Sequence, residues 1–249
     1  MDRVEILRGP QGTLFGRNAT GGLAQFVTRK PTQETSYYGE ITGGSYEQVK
    51  FEGAAGGALT DRVSGRVSIA THHNGGYVEN RILDDDINNA NDYAGRGQLL
   101  FDVTDDVSLL VNVRGALQQI RTGFFENASS RADALGRGFY TPGAGNFNGY
   151  EDSDGDVFAG DYNKFGHQDM STWGTSGTLK WATDAWTLTS ITDFQTIERD
   201  YIEDSDASPF SDFNFFLSTD ADQFSQELRL NGEREKMRWV TGFYYLDIE

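Results

Sequence analysis

The sequence predicts an all-β fold, a partial transmembrane antiparallel β-barrel, and three observations support this prediction. Apolar and polar residues alternate with a period of two through most of the chain after residue 32. Short and long connections follow one another between the alternating segments, as they do in outer-membrane barrels. The mean hydropathy is −0.55, which excludes helical membrane spans but not barrel strands, because such strands face lipid only at every second residue.

Nine strands with short links at one end are predicted. The clearest alternation has apolar Val111 and Val113 between polar Asn112 and Arg114, so we expect the odd-numbered residues of 107–117 to face outward. Long links are predicted at the opposite end, an asymmetry that a soluble β-sandwich would not require. The predicted strands cover residues 35–45, 47–59, 62–74, 92–103, 107–118, 171–183, 185–199, 222–231 and 237–247.

Composition excludes several classes of function. The chain of 249 residues has a net charge of −17, which argues against a nucleic-acid partner. Residues 1–32 hold five Arg and Lys against two Asp and Glu, so the charge of +3 in this segment contrasts with the acidic remainder. Cysteine is absent and only three histidines occur, and no nucleophile–base set stands out. We predict neither an enzyme nor a bound cofactor.

A glycine-rich segment precedes the strands and reads LRGPQGTLFGRNATGGLAQFVTRKPT from Leu7 to Thr32. It contains no GK[ST] of a P-loop and no G-x-G-x-x-G that follows a strand and opens a helix, so a nucleotide site is excluded. Residues 4–32 resemble the end of the plug domain of TonB-dependent outer-membrane receptors, from Val4–Gly16 through Arg17–Gly22 to Val27–Pro31. Phe224–Leu230 is similar to a barrel strand of the same family.

The resemblance implies a domain division and a missing remainder. Residues 1–32 would be the C-terminal part of the plug domain, and residues 33–249 the N-terminal part of the transmembrane barrel. Receptors of this kind have about 22 strands around a plugged lumen, and nine strands cannot close. Most of the plug, the N-terminal box that contacts TonB and roughly 13 strands are therefore expected outside these residues.

The resemblance also implies a function, the uptake of a scarce nutrient such as a ferric siderophore across the bacterial outer membrane. External loops would capture this small-molecule ligand, and the plug would close the lumen until the TonB–ExbB–ExbD complex pulls on it. The barrel would be surrounded by outer-membrane lipid. Two alternatives stay open: a passive porin-like channel, and a surface β-barrel with a structural or adhesive role.

Candidate site residues come from the resemblance and from the long links. In the family, plug arginines meet barrel glutamates, which implies a contact of Arg8 with Glu227, with Arg29 as the other candidate; a local ion pair of Glu227 is the alternative. Asp152, Asp154, Asp156 and Asp161 are spaced like carboxylates of calcium loops, but the EF-hand glycine and glutamate are absent, which favours a solvated acidic loop. The aromatic candidates for ligand contact, which loop packing or a membrane girdle would also explain, are Phe124, Phe125, Phe139, Tyr140, Phe147, Tyr150, Phe210 and Phe213.

Overall fold

The computed structural model describes residues 1–10, 20–123, 130–132, 138–140, 150, 152, 155–234 and 237–249, and within these ranges the chain is all-β. Strands β1 (Arg3–Arg8) and β2 (Gly22–Val27) form an antiparallel pair of their own, with Arg8 opposite Gly22. Gly22 has φ of +148°, and a Cβ there would lie 2.7 Å from the carbonyl oxygen of Leu7. A residue without a side chain is therefore required at this position.

The main sheet has nine strands in the described part of the chain, and each strand pairs antiparallel with its neighbours along the sequence. The two edge strands do not pair with each other, so the sheet is open. This confirms the predicted meander of about nine strands. The members are β3 (Ser36–Gly43), β4 (Val49–Thr60), β5 (Val63–Asn74), β8 (Ala90–Asp102), β9 (Val107–Ile120), β13 (His167–Ala182), β14 (Trp186–Asp204), β15 (Asn214–Arg234) and β16 (Met237–Ile248).

Five short strands are described within the long links. Their bounds are β6 (Val78–Asn80), β7 (Asp85–Ile87), β10 (Ser130–Ala132), β11 (Gly138–Tyr140) and β12 (Ala159–Gly160). A three-stranded sheet joins two links, because β12 pairs parallel with β6, which pairs antiparallel with β7. A separate two-stranded pair forms between β10 and β11.

The two faces of the main sheet differ in chemistry, because side chains alternate along each strand. On the outer face Val113 and Leu117 are 53% and 56% exposed, which agrees with the predicted orientation of β9. On the inner face Arg114 contacts Asp193. Residues from β3 to β16 line one recess on that face, so the inner face is concave.

The outer face carries aromatic residues near the short turns and exposed carboxylates nearer the long links. Near the short turns Trp181 and Trp186 have ring centroids 5.2 Å apart, as in the aromatic girdle of a membrane barrel. Toward the long links Asp200 of β14 and Asp220 of β15 are exposed. Apolar surface returns beyond them, because Phe216 of β15 is 78% exposed.

Strand lengths differ from the prediction for a physical reason. We expected the seventh strand to end at residue 199 and the eighth to begin at 222, whereas β14 ends at Asp204 and β15 begins at Asn214. In these stretches the alternation that predicts a strand is lost, because residues 198–200 are consecutive charged residues and Phe215–Leu217 are consecutive apolar residues. No helix among the described residues is long and apolar enough to cross a membrane.

Candidate functional site

A recess of about 710 Å³ on the inner face contains a concentration of arginines. Its lining includes Arg29, Arg66, Arg96 and Arg114, whereas Glu52 is the one acidic residue of that lining among the described residues. The guanidinium of Arg114 donates to both carboxylate oxygens of Asp193, at 2.9 and 3.0 Å, and to Gln195 at 3.0 Å. A basic wall has thus formed inside a chain whose net charge is strongly negative.

A hydrogen-bonded row, which we call the polar girdle, crosses the inner face between this recess and the long links. Arg199 Nε donates to Gln168 at 3.0 Å. Gln118 donates to Asp92 at 2.8 Å, and His72 Nδ1 lies 3.5 Å from the other oxygen of Asp92. Gln118 and His72 therefore approach Asp92 from opposite sides. The members, in order along the wall, are Gln48, His72, Asp92, Gln118, Gln168 and Arg199.

The long links pack together into a second feature, which we call the loop cap and define as residues 75–89, 155–166 and 205–213. Its hydrophobic core is formed by Val78, Ile87, Tyr162 and Ala207, each at most 5% exposed. The β6–β7–β12 sheet connects the first two links by backbone hydrogen bonds. A cap with its own core is preorganised, and preorganised surfaces lose less conformational entropy when they bind.

An ion-pair cluster ties the loop cap together. Arg81 donates to Asp161 at 2.7 Å and to Asp152 at 3.2 Å, and the hydroxyl of Tyr150 donates to Asp161 at 2.9 Å. The hydrogen bond to Asp161 raises the pKa of Arg81, and the same bond lowers the pKa of Asp161. Burial raises the pKa of Tyr150 above its ordinary value. Arg81 and Asp161 are therefore both ionised at neutral pH, whereas Tyr150 is neutral, and the cluster has a structural role.

A buried carboxyl group lies at the end of β14, where the chain enters the loop cap. Asp204 is 1% exposed, and its Oδ2 accepts a hydrogen bond from the backbone N–H of Asn163 at 3.0 Å. Its Oδ1 has no partner among the described residues. Burial, followed by the charge of Asp206, raises the pKa of Asp204 to about 6. Ionised at neutral pH, this carboxylate disfavours the closed cap.

The structure places the expected plug–barrel residues at three different points. Glu227 lies on the inner face, and its Oε1 is 3.3 Å from the guanidinium of Arg229 on the same strand. Arg8 ends the β1 strand opposite Gly22. Arg29 lines the arginine recess. Of the three, Arg29 is thus placed against the inner wall, while Glu227 has a partner within its own strand.

The aromatic candidates lie in different parts of the structure. Phe210 and Phe213 are exposed on the cap, at 42% and 60%. Tyr150 instead belongs to the Arg81 cluster. Phe139 and Tyr140 lie in β11. Phe124, Phe125 and Phe147 lie outside the described residues.

The acidic candidates are bound to protein groups where the structure describes them. Asp152 and Asp161 both contact Arg81, so the interpretation of a solvated acidic loop was wrong for these two residues. Asp156 accepts a hydrogen bond from the backbone N–H of Phe158 at 2.9 Å. Asp154 lies outside the described residues. In the ranges that are described, no group of three or more His, Asp or Glu could hold a metal ion.

Two functional features were missed at the level of sequence. The arginine recess depends on Arg96 and Arg114 being directly opposite each other, which requires the strand register. The available signal was that both arginines occupy the polar positions of two neighbouring strands whose apolar and polar residues alternate. A row of aromatic rings joins Tyr46, in the turn between β3 and β4, to Tyr77 and Phe158 of the loop cap, with centroids 6.1 and 6.4 Å apart, and local patterns gave no indication of it.

These features define a class of protein: the wall of an outer-membrane β-barrel, with short turns at one end, a loop cap at the other and a polar concave face. Solved structures of outer-membrane receptors share this fold. The ferric yersiniabactin uptake receptor FyuA of Yersinia pestis matches with a TM-score of 0.74 and 20% identity, over 98% of this chain and 35% of that one. The siderophore receptor PiuA of Acinetobacter baumannii matches with a TM-score of 0.74 and 12% identity, over 98% and 34%.

Sequence relatives point the same way. The probable TonB-dependent siderophore receptor PirA of Acinetobacter baumannii is 29% identical over 156 residues, which cover 54% of this chain and 20% of that protein. The ferripyoverdine receptor of Pseudomonas aeruginosa is 35% identical over 71 residues, which cover 28% and 9%. No protein-family model matches the chain.

Together the matches confirm the resemblance to TonB-dependent outer-membrane receptors, and they confirm the outer membrane of a bacterium as the location. The relatives are transport receptors rather than enzymes. The chain spans about a third of the solved receptors, at 35% and 34% of their length, and at most 20% of the two curated relatives described above. The activity of a whole receptor is therefore a proposal for this chain.

Proposed function

We propose that this chain is part of a receptor that imports a ferric siderophore across the outer membrane with energy supplied through TonB. The observation that carries the proposal is the combination of a preorganised loop cap with a polar, concave inner face on an outer-membrane sheet. The names of the relatives support siderophore uptake as the ligand class. In this proposal the chain has no enzymatic activity, and its work is capture and passage of the ligand.

In this proposal the two parts of the chain have different roles, and the boundary between them is the one predicted at residue 32. Residues 1–32 act as the end of the plug, and residues 33–249 form part of the barrel. The loop cap captures the ligand, and the exposed Phe210 and Phe213 are the proposed contacts among the described aromatic residues. TonB, working with ExbB and ExbD, displaces the plug after the ligand has bound.

The test is iron uptake by the full-length receptor in a bacterial strain that lacks its own siderophore receptors. We expect radioactive iron from a ferric siderophore to accumulate in cells with functional TonB and not in cells without it. Accumulation without TonB, together with ion conductance in planar bilayers, would instead establish a passive channel. Ligand binding that never leads to uptake would favour a structural or adhesive surface protein.

Contacts between the plug and the barrel are the second part of the proposal. Glu227 is proposed to interact with Arg8, with Arg29 as the other plug candidate, although Arg229 is the partner at 3.3 Å. A double-mutant cycle of Glu227→Ala with Arg8→Ala in the full-length receptor should show coupling above about 0.5 kcal/mol. The cycle of Glu227→Ala with Arg229→Ala is the matched control. Coupling to Arg229 alone would remove Arg8 from the contact.

A further inference from the structure

Two arginines on the inner face are direct neighbours across a strand pair. Arg96 on β8 and Arg114 on β9 are register partners, so both guanidinium groups leave the sheet on the same face. Side chains at opposite positions of an antiparallel pair are in contact range, and like charges there repel each other. A stable arrangement therefore requires negative charge close to both groups.

Asp193 supplies this negative charge to Arg114, whereas no ion pair of Arg96 is found among the described residues. Asp193 and Gln195 accept hydrogen bonds from Arg114, as described above. Arg96 has Ser68 as its register partner on the other side, and its Nε is buried without a hydrogen-bond partner among the described residues. A buried donor that belongs to a charged group is especially costly to leave without an acceptor.

The wall beside Arg96 leaves room for an acceptor. The next row of the inner face consists of small side chains, because Ala70, Ala94 and Ala116 are successive register partners. These alanines form the floor of the recess of about 710 Å³. Arg29 adds a further guanidinium to the lining, so the recess is both open and basic.

We propose that Arg96, together with Arg114 and Arg29, forms a binding site for an anionic oxygen group of the carboxylate or phosphate class. The planar guanidinium presents two parallel N–H groups that match the two oxygens of such an anion. Residues 1–32 carry a net charge of +3 and are a poor source of it. Glu52 lines the same recess, but it accepts a hydrogen bond from the hydroxyl of Tyr38 at 3.3 Å. Two other sources remain: a free anionic solute in the lumen, and a carboxylate of the receptor outside these 249 residues.

This site goes beyond the proposed function, because it requires an enclosed inner face but no siderophore and no TonB. The experiment is thermal unfolding of the purified full-length receptor in detergent, with sodium citrate or sodium phosphate as the probe and sodium chloride at equal ionic strength as the reference. The variants are Arg96→Gln and the control Arg62→Gln. Arg62 lies beside a short turn, where it is 59% exposed and pairs with Asp105 at 3.3 Å.

If the anion is a free solute, citrate or phosphate should raise Tm in a saturable way for the wild type and Arg62→Gln, and the rise should be lost in Arg96→Gln. If it is a carboxylate of the receptor, neither anion should change Tm, while Arg96→Gln lowers Tm by several degrees and Arg96→Lys, which keeps the charge but loses the planar fork, lowers Tm by less. Should Arg96→Gln fail to fold, the lysine variant decides: because it keeps the charge, it must fold.

Two results would overturn the proposal. One is the same Tm and the same anion response in the wild type, Arg96→Gln and Arg62→Gln. The other is a Tm that falls equally in Arg96→Gln and Arg96→Lys without any anion response, because this would show that Arg96 serves packing rather than charge.

Discussion

Replacing Asp204 by asparagine should stabilise the loop cap at neutral pH and remove its pH dependence. The carboxyl group is buried between β14 and the 155–166 link, where it contacts the backbone of Asn163. Its pKa is raised to about 6, mainly by burial and then by Asp206. Asparagine keeps an oxygen for the N–H of Asn163 and has no charge to desolvate, which outweighs the weaker contacts of the carboxylate with the backbone of Lys164 and Ala207.

The magnitude follows from the difference between the folded and the ordinary pKa of this carboxyl group. A rise from 3.8 to about 6 corresponds to about 3 kcal/mol in total. Because the folded pKa is raised, the closed cap binds the proton more tightly than the open cap, and this stabilisation is lost as the pH rises through 6. Between pH 5 and pH 7.5 the closed cap should lose about 1.4 kcal/mol, so opening increases about tenfold.

Hydrogen exchange of the 155–166 and 205–213 amides in the full-length receptor measures this opening, after correction for the intrinsic pH dependence of exchange. The wild type should show more protection at pH 5 than at pH 7.5, and Asp204→Asn should show equal, high protection at both. Asp61→Asn, in an exposed short turn, is the control and should behave as the wild type. Equal pH dependence in the wild type and Asp204→Asn would refute the reasoning.

Three further predictions concern other parts of the molecule. Arg81→Gln should remove the positive charge that Asp152 and Asp161 share and destabilise the loop cap by about 2–3 kcal/mol, which faster proteolysis of the long links would reveal; unchanged cleavage would contradict it. Gly22→Ala should destabilise the β1–β2 pair by about 1–3 kcal/mol and expose the N-terminal segment to protease, whereas Gly21→Ala, with open space around its Cβ, should not. Val111→Cys should react with a lipid-phase probe and Asn112→Cys should not, and the reverse pattern would mean that the two faces are exchanged.

Sequence patterns were sufficient where a strand faces lipid on one side and water on the other. Strand β9 is the clearest case, because apolar Val111 and Val113 alternate with polar Asn112 and Arg114. The same logic failed at the ends of β14 and β15 near the long links, where Asp200 is exposed and Phe215–Leu217 are apolar without alternation. Hydropathy patterns detect a contrast between the two faces of a strand, and these stretches lack it.

The candidate site was less accessible to prediction, because it depends on contacts between distant segments. Arg81 and Asp161 are 80 residues apart, and the strands that bring their links together have only two or three residues each. The pairing of Arg96 with Arg114 likewise follows from register, which single-strand patterns do not determine. The resemblance supplied Arg29 and Glu227 as candidates, but local geometry decided that Glu227 lies next to Arg229.

The composition of the loop cap has a consequence for the order in which the protein assembles. Its core unites Val78 and Ile87 with Tyr162 and Ala207, so contacts span more than a hundred residues of sequence. Such distant contacts close large loops and form late in folding. The strands from β5 to β14 must pair in the correct register before the cap core can come together. A slipped strand would therefore leave the loop cap unformed, and a formed cap reports that the wall beneath it has assembled correctly.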